Sequence, residues 1–153
     1  MSAERKRAVV GETSAAHSDE RWNLDEAADF DDILRSLRRR GFGACAERLV
    51  ELWLAEDIDE DDAPLSLESV RDLVELLDAL QDLGEPMLGR FLAGTLSVEW
   101  RAADGKHILV ELLGGDNASF AMIGPPPAQG ADEFRLNGRG KIADVVAALR
   151  SHL

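Results

Sequence analysis

Residues 95–113 read TLSVEWRAADGKHILVELL, and this stretch decides the fold. Leu96, Val98 and Trp100 alternate with Thr95, Ser97, Glu99 and Arg101, the period of a strand with one buried face. Ala103, Asp104 and Gly105 predict a three-residue hairpin loop with Gly105 in the left-handed position. Folding the chain back there sets Trp100 against Ile108, Val98 against Val110 and Leu96 against Leu112. All six are apolar. A one-residue slip would set Val98 beside a charged side chain, so the pattern decides the parity of the pairing.

Working outward, Gly114 to Asn117 is the next turn, and Ala118 to Ile123 is a third strand with Phe120 and Met122 on the inner face. Gly124 and Pro125 to Pro127 end it, and a surface loop is expected to Asp132. Glu133 to Leu136 is a short fourth strand, followed by a turn at Asn137, Gly138 and Gly140. Lys141 to Leu153 is a final helix with Ile142, Val145, Val146 and Leu149 on one face. A meander of three or four antiparallel strands has one hydrophobic face to bury, and the last helix is its obvious cover. The outer face carries Leu109 and Leu113 beside its polar residues. It is less polar than a fully solvated face, so either the helical half packs there or a second subunit does.

Upstream the period changes. Asn23 stands three residues before Glu26, a capping box, with Trp22 in the staple position. Phe30, Ile33, Leu34 and Leu37 follow at helical spacing. Acids load the start of this helix and Arg35, Arg38, Arg39 and Arg40 its end, which is the order the helix dipole favours; Gly41 stops it. A second helix begins near Gly43, with Cys45, Leu49, Leu52 and Trp53 as its stripe, and the short connection makes the two an antiparallel hairpin. Ser66 caps a third helix, Leu67 to about Leu83, on which Val70, Leu73, Val74, Leu77 and Leu80 are the buried face and Leu76 lies at the edge. The fold class is α+β: helices, a meander, a helix. Residues 1–21 are expected to be a disordered tail. Residues 22–153 are expected to be a single α+β domain, with an acidic helical half at 22–85 and the sheet and last helix at 86–153.

The chain has 153 residues, 45% hydrophobic, enough for a core, and a net charge of −13. Asp25 to Glu85 holds 19 acidic side chains against 6 Arg, while the remainder is balanced at 11 of each, so the whole excess sits in one segment. That field opposes broad binding to a phosphate backbone and favours a basic partner, and nucleic acid is not expected. Cys45 is alone, which excludes an intrachain disulfide and a cysteine-rich zinc site. The N-terminus lacks the apolar core of a signal peptide, and no stretch reaches the roughly 20 apolar residues that cross a bilayer. A cytoplasmic protein of a prokaryote-like cell is expected.

Asp57, Asp59, Asp61 and Glu68 fall at alternating calcium-loop positions, but the required turn glycine is Asp62, Pro64 follows, and Ser66 starts a helix inside the loop. The run reads as an acidic linker, and neither a metal nor another cofactor is expected. Glu99, Arg101, His107 and Glu111 share the outer hairpin face. A carboxylate beside a histidine can do general-base work, although a solvated strand face looks the same. Cys45 lies in an apolar stripe and reads as a core thiol. His17 sits in the tail, and His152 sits in the last turn, where the helix dipole suits it. Arg139, Gly140 and Lys141 would offer an anion site if Gly140 immediately precedes the last helix. The four arginines at the end of the first helix are explained by its dipole.

PLSLESVRDLVELL (64–77), Pro86, GTLSVEW (94–100), KHILVEL (106–112) and the following Gly-rich turn resemble a loosely defined class of small uncharacterised bacterial α+β proteins. These have a capped helix, a proline, a strand ending in Glu-Trp and a second strand after a short turn. The resemblance spans Pro64 to Leu153. It implies a partner-binding or regulatory role, with a toxin or other partner encoded beside some members, and it brings no catalytic residues. The leading expectation is a non-enzymatic protein that holds a basic partner such as a toxin through Asp57, Asp59, Glu60 and Asp61 or through Leu109 and Leu113. One alternative is a small hydrolase or ligand-binding domain using Glu99, His107 and Glu111. Another is a homo-oligomer in which Leu109 and Leu113 lie at the interface.

Overall fold

A computed structural model describes residues 24–55 and 62–153. The expected tail, the capping box at Asn23 with its Trp22 staple, and the acidic residues Asp57, Asp59, Glu60 and Asp61 lie outside the described residues. The elements are α1 (Leu24–Arg39), α2 (Gly43–Leu54), α3 (Leu67–Arg71), α4 (Leu73–Ala79), β1 (Met87–Arg90), β2 (Leu96–Arg101), β3 (His107–Gly114), β4 (Asn117–Gly124), β5 (Phe134–Lys141) and α5 (Ile142–Arg150). The architecture is α+β, an antiparallel meander preceded by helices and followed by one, with its five strands in the order β1-β2-β3-β4-β5.

The hairpin pairs as read: Trp100 with Ile108, Val98 with Val110, Leu96 with Leu112, around Gly105 at φ +90°. Leu88, Phe120, Met122 and Ala118 continue these rows into β1 and β4, and all are buried. Every alternate residue of β2, β3 and β4 faces the other way and keeps part of its surface. All packing therefore falls on one face of the sheet: α2 against β1, α3 against β3, and α5 against β4 and β5. Helix α1 lies on α2, α3 and α4, with Phe30 stacked on Trp53 at 4.6 Å. One continuous set of buried side chains joins these layers. The helical half thus covers the inner face, and among the described residues nothing covers the outer face.

Three expectations are corrected. The sheet has five strands rather than three or four, because Met87–Arg90 also pairs with β2. The segment is short and contains Gly89, which hides its alternation. Its free edge is partly used, since Arg48 Nε of α2 donates to Leu88 O at 3.2 Å. Second, Asn137, Gly138 and Gly140 do not form a turn but lie within β5, which runs eight residues. Gly138 sits under Phe120, where a Cβ would approach the ring to 2.9 Å. Gly138 thus serves close packing, a use that competes with the turn signal. Third, the helix from Leu67 is not continuous. It breaks at Asp72 and resumes as α4, then ends in a 3-10 turn at Gln81–Leu83. The break turns Leu76 fully inward and leaves Val74 half-buried, the reverse of the expected edge.

The helices are tied down by polar contacts that cross the layers. Ser66 caps α3 as expected, its Oγ accepting from Ser69 N at 3.4 Å. Phe42 gives α2 no side-chain cap, and Glu85 supplies the missing acceptor by taking Cys45 N–H at 2.8 Å. A carboxylate there also meets the positive end of the helix. Ser69 is 1% exposed. Its hydroxyl donates to Leu112 O at 2.5 Å and accepts from Leu96 N at 2.8 Å, bridging the open end of the hairpin. Ser69→Ala would remove both hydrogen bonds that tie α3 to the hairpin backbone, so it should cost about 2 kcal/mol. Urea unfolding should show this as a lower midpoint at unchanged slope.

Candidate functional site

Chemistry-bearing side chains gather at three places, each made by a different part of the fold. The first is the outer face of the sheet. The β2–β3 register sets Arg101 opposite His107, and His107 Nε2 contacts Glu99 Oε2 from the diagonal position. Arg101 reaches the same carboxylate at 3.7 Å. Glu111 belongs to a separate group. It accepts from Thr95 Oγ1 at 2.5 Å and from Ser119 Oγ at 3.5 Å. His107 and Glu111 stand four residues apart on β3, ~13 Å along a strand, so they do not converge on one point. The structure thus joins Glu99 to His107 and sets Glu111 apart. Leu109 and Leu113 lie on this face and are half-buried.

The second place was not singled out from the sequence. Asp72 at the helix break, Glu75 in α4 and Asp116 in the β3–β4 turn bring one carboxylate oxygen each within 4.8 Å of the others. Asp116 takes a positive φ of 68°. Its N–H donates to Asp72 Oδ2 at 3.0 Å, and its carbonyl receives Ile142 N–H at 3.1 Å. One turn therefore seats both the helix break and the start of α5. The Asp72 carboxyl is pushed above its ordinary range chiefly by burial, and further by the charges of Asp116 and Glu68; the Asp116 N–H bond opposes them. Glu75 is pushed up by burial and then by Asp116 and Asp72. Among the described residues no cation pairs with these three acids. They are the set whose oxygens could share a divalent cation, or the guanidinium or ammonium of a partner. The spacing of Asp72 and Glu75 on one helix face was the visible half of the signal. The docking of a distant turn was the other half.

The third place is the start of α5. Arg139 and Gly140 are strand residues, and Lys141 holds the cap position without a side-chain cap. The first N–H of the helix is taken by Asp116 O rather than left for an anion. Arg139 points to the outer sheet face in register with Ser119 and Glu111. The arginines of the helical half are largely spent on their own neighbours. Arg35 pairs with Asp32, Arg40 with Asp78 at 2.9 Å, Arg48 with Glu51 at 2.9 Å and Arg71 with Asp29 at 2.8 Å.

No family profile, no curated protein and no solved structure matches this chain. Within the described residues no helix is long and apolar enough to cross a membrane.

Two expected outcomes follow from these environments. The Cys45 thiol is pushed up to about 12 by burial and by the charge and hydrogen bond of Glu85. A disulfide reagent at pH 8 should leave it untouched in the native protein and react fully in urea. Glu75 has a folded pKa raised above its unfolded value, so its favourable share is complete below the unfolded pKa, near 4, and is lost as pH rises through the folded pKa. Glu75→Gln should therefore stabilise at pH 7 by about 0.3 kcal/mol after solvent screening. Denaturation midpoints of the two proteins should converge as the pH falls below about 4.

Proposed function

We propose that this chain is a non-enzymatic binding protein that holds a basic protein against its acidic helical layer. The observation that carries the reading is charge segregation. The whole excess of −13 belongs to Asp25–Glu85, and the fold gathers the described part of that segment into the helical layer on one side of the sheet. The arginines of this layer are mostly committed to its own acids. What remains is concentrated negative charge, and at Asp72 and Glu75 it is joined by Asp116 of the β3–β4 turn. A complementary basic surface would relieve that repulsion, speed encounter and select against acidic competitors. The resemblance to small bacterial proteins, some of them encoded beside toxins or other partner genes, makes a basic toxin the sharpest form of the proposal, with neutralisation as the role.

The alternative of a hydrolase or ligand-binding domain has less geometry behind it. Glu99 is engaged by both His107 and Arg101, and Glu111 is held by two hydroxyls at a distance from them.

Immobilised protein challenged with extract of its native cells should retain one stoichiometric basic protein, released by raising salt toward 1 M. With the purified partner, the triple variant D72N/E75Q/D116N should bind about tenfold more weakly, the effect of three partly screened charges. Retention of only acidic proteins, or unchanged affinity in the triple variant, overturns the reading.

A further inference from the structure

We infer that the uncovered outer face of the sheet is the contact surface of a homodimer. Its two-fold axis runs parallel to the strands over β4. This goes beyond the proposed function and uses the opposite side of the molecule.

The sequence left two candidates to cover the outer face, the helical half or a second subunit. The helical half packs on the inner face, which removes the first candidate. What the face displays points to the second. Glu111 on β3, Ser119 on β4 and Arg139 on β5 form one row in register across three strands. The carboxylate of Glu111 has hydroxyl partners and no cation, and Arg139 has no acid partner among the described residues. The charges on this row are therefore opposite in sign and symmetric in position about β4. A two-fold over β4 exchanges β3 and β5 between facing copies. It sets Glu111 over the partner's Arg139 and Arg139 over the partner's Glu111. Two ion pairs form from groups that the described residues of a single chain leave without a counter-charge.

The centre of the same patch suits self-contact. Along β4 the outward residues are Asn117, Ser119, Ala121 and Ile123, which meet their own copies under this operator, and Leu109 adds apolar surface beside them. Small residues let two sheets approach to the usual ~10 Å, a gap that a Glu and an Arg side chain together can bridge. Three strands of eight residues make a patch of ~14 by ~26 Å. Allowing for side-chain relief, both copies together bury about 1,000 Å², the lower bound for a specific interface. A partner of one sign would set a like charge against either Glu111 or Arg139, whereas the chain supplies its own complement. Isologous contact is the commonest symmetry for such a surface.

Light scattering and sedimentation between about 1 and 300 µM should show the mass rising from 16.7 kDa toward twice that value. Glu111→Arg and Arg139→Glu should each raise the dimer dissociation constant about tenfold or more, and the double swap should return it to within about threefold of the wild type. Ala121→Arg, which places bulk and charge on the axis, should give a monomer. Circular dichroism and urea midpoints confirm that each variant is folded. A wild type that stays monomeric throughout, single swaps that leave the constant unchanged, or a double swap that stays dissociated overturns the inference. None of these substitutions touches Asp72, Glu75 or Asp116. Failure of self-association therefore leaves the binding test of the acidic layer standing, and failure of that test leaves this one.

Discussion

The hydroxyl of Ser69 is the contact on which the arrangement of the two halves depends. It joins α3 to the backbone of both hairpin strands at once, through Leu112 O and Leu96 N–H. A serine in a helix normally turns to solvent or to its own backbone. Here both of its hydrogen bonds go to the sheet, which sets how deep α3 lies and which face it covers. One turn further on, Asp72 receives the N–H of Asp116, so the helical layer is held to the β3–β4 turn as well. Apolar burial supplies the larger driving force, but it is non-directional. These few polar contacts, of which those of Ser69 are buried and costly to leave unmade, select one docking among many that would bury similar area.

Most of the architecture was legible because the relevant signals are local. The alternation across Thr95–Leu113 gave both register and buried face, and the turn at Asp104–Gly105 tolerates only one parity. The α1–α2 hairpin, the Ser66 cap and the apolar stripes were local as well. The errors share one cause: a tertiary contact overrode a local cue. Asn137–Gly138 is a strong turn signal by itself, yet Gly138 is needed under the Phe120 ring, and the strand runs straight through. The apolar run from Leu67 to Leu83 contains no local breaker, and Asp72 departs from helix where it meets Asp116. Only the Asp72–Glu75 half of the acidic junction shows in linear order, since Asp116 joins it from more than 40 positions away. The outer-face residues were identified correctly as a set. Their division into Glu99 with His107 and Glu111 with Thr95 and Ser119 depended on rotamers that no spacing rule supplies.

The two faces of the molecule differ in kind. One side is a helical layer with excess negative charge. The other is a pleated surface on which Glu111 and Arg139 flank Ser119 of the central strand. A contact symmetric about β4 would set two acidic layers facing outward in opposite directions. Such a pair would present two copies of the same binding surface, and a partner that is itself dimeric or repetitive would gain avidity without any new contact. The two proposed uses of the chain are therefore compatible in space.

The acidic layer also works against the fold that carries it. Asp72 and Glu75 have pKa values raised in the folded state, so at neutral pH their ionised forms are less favourable folded than unfolded. Replacing either by a neutral side chain is chemically simple, and nothing in the core depends on the charge of Glu75, which is exposed. On the proposed reading, the charge of Glu75 is one that a cationic partner would relieve. Cationic groups brought close to the cluster would return the lost electrostatic energy, and the gain would be largest where the self-repulsion is largest. On the proposed reading, this cluster is one place where a basic partner would be held, because its self-repulsion is relieved there.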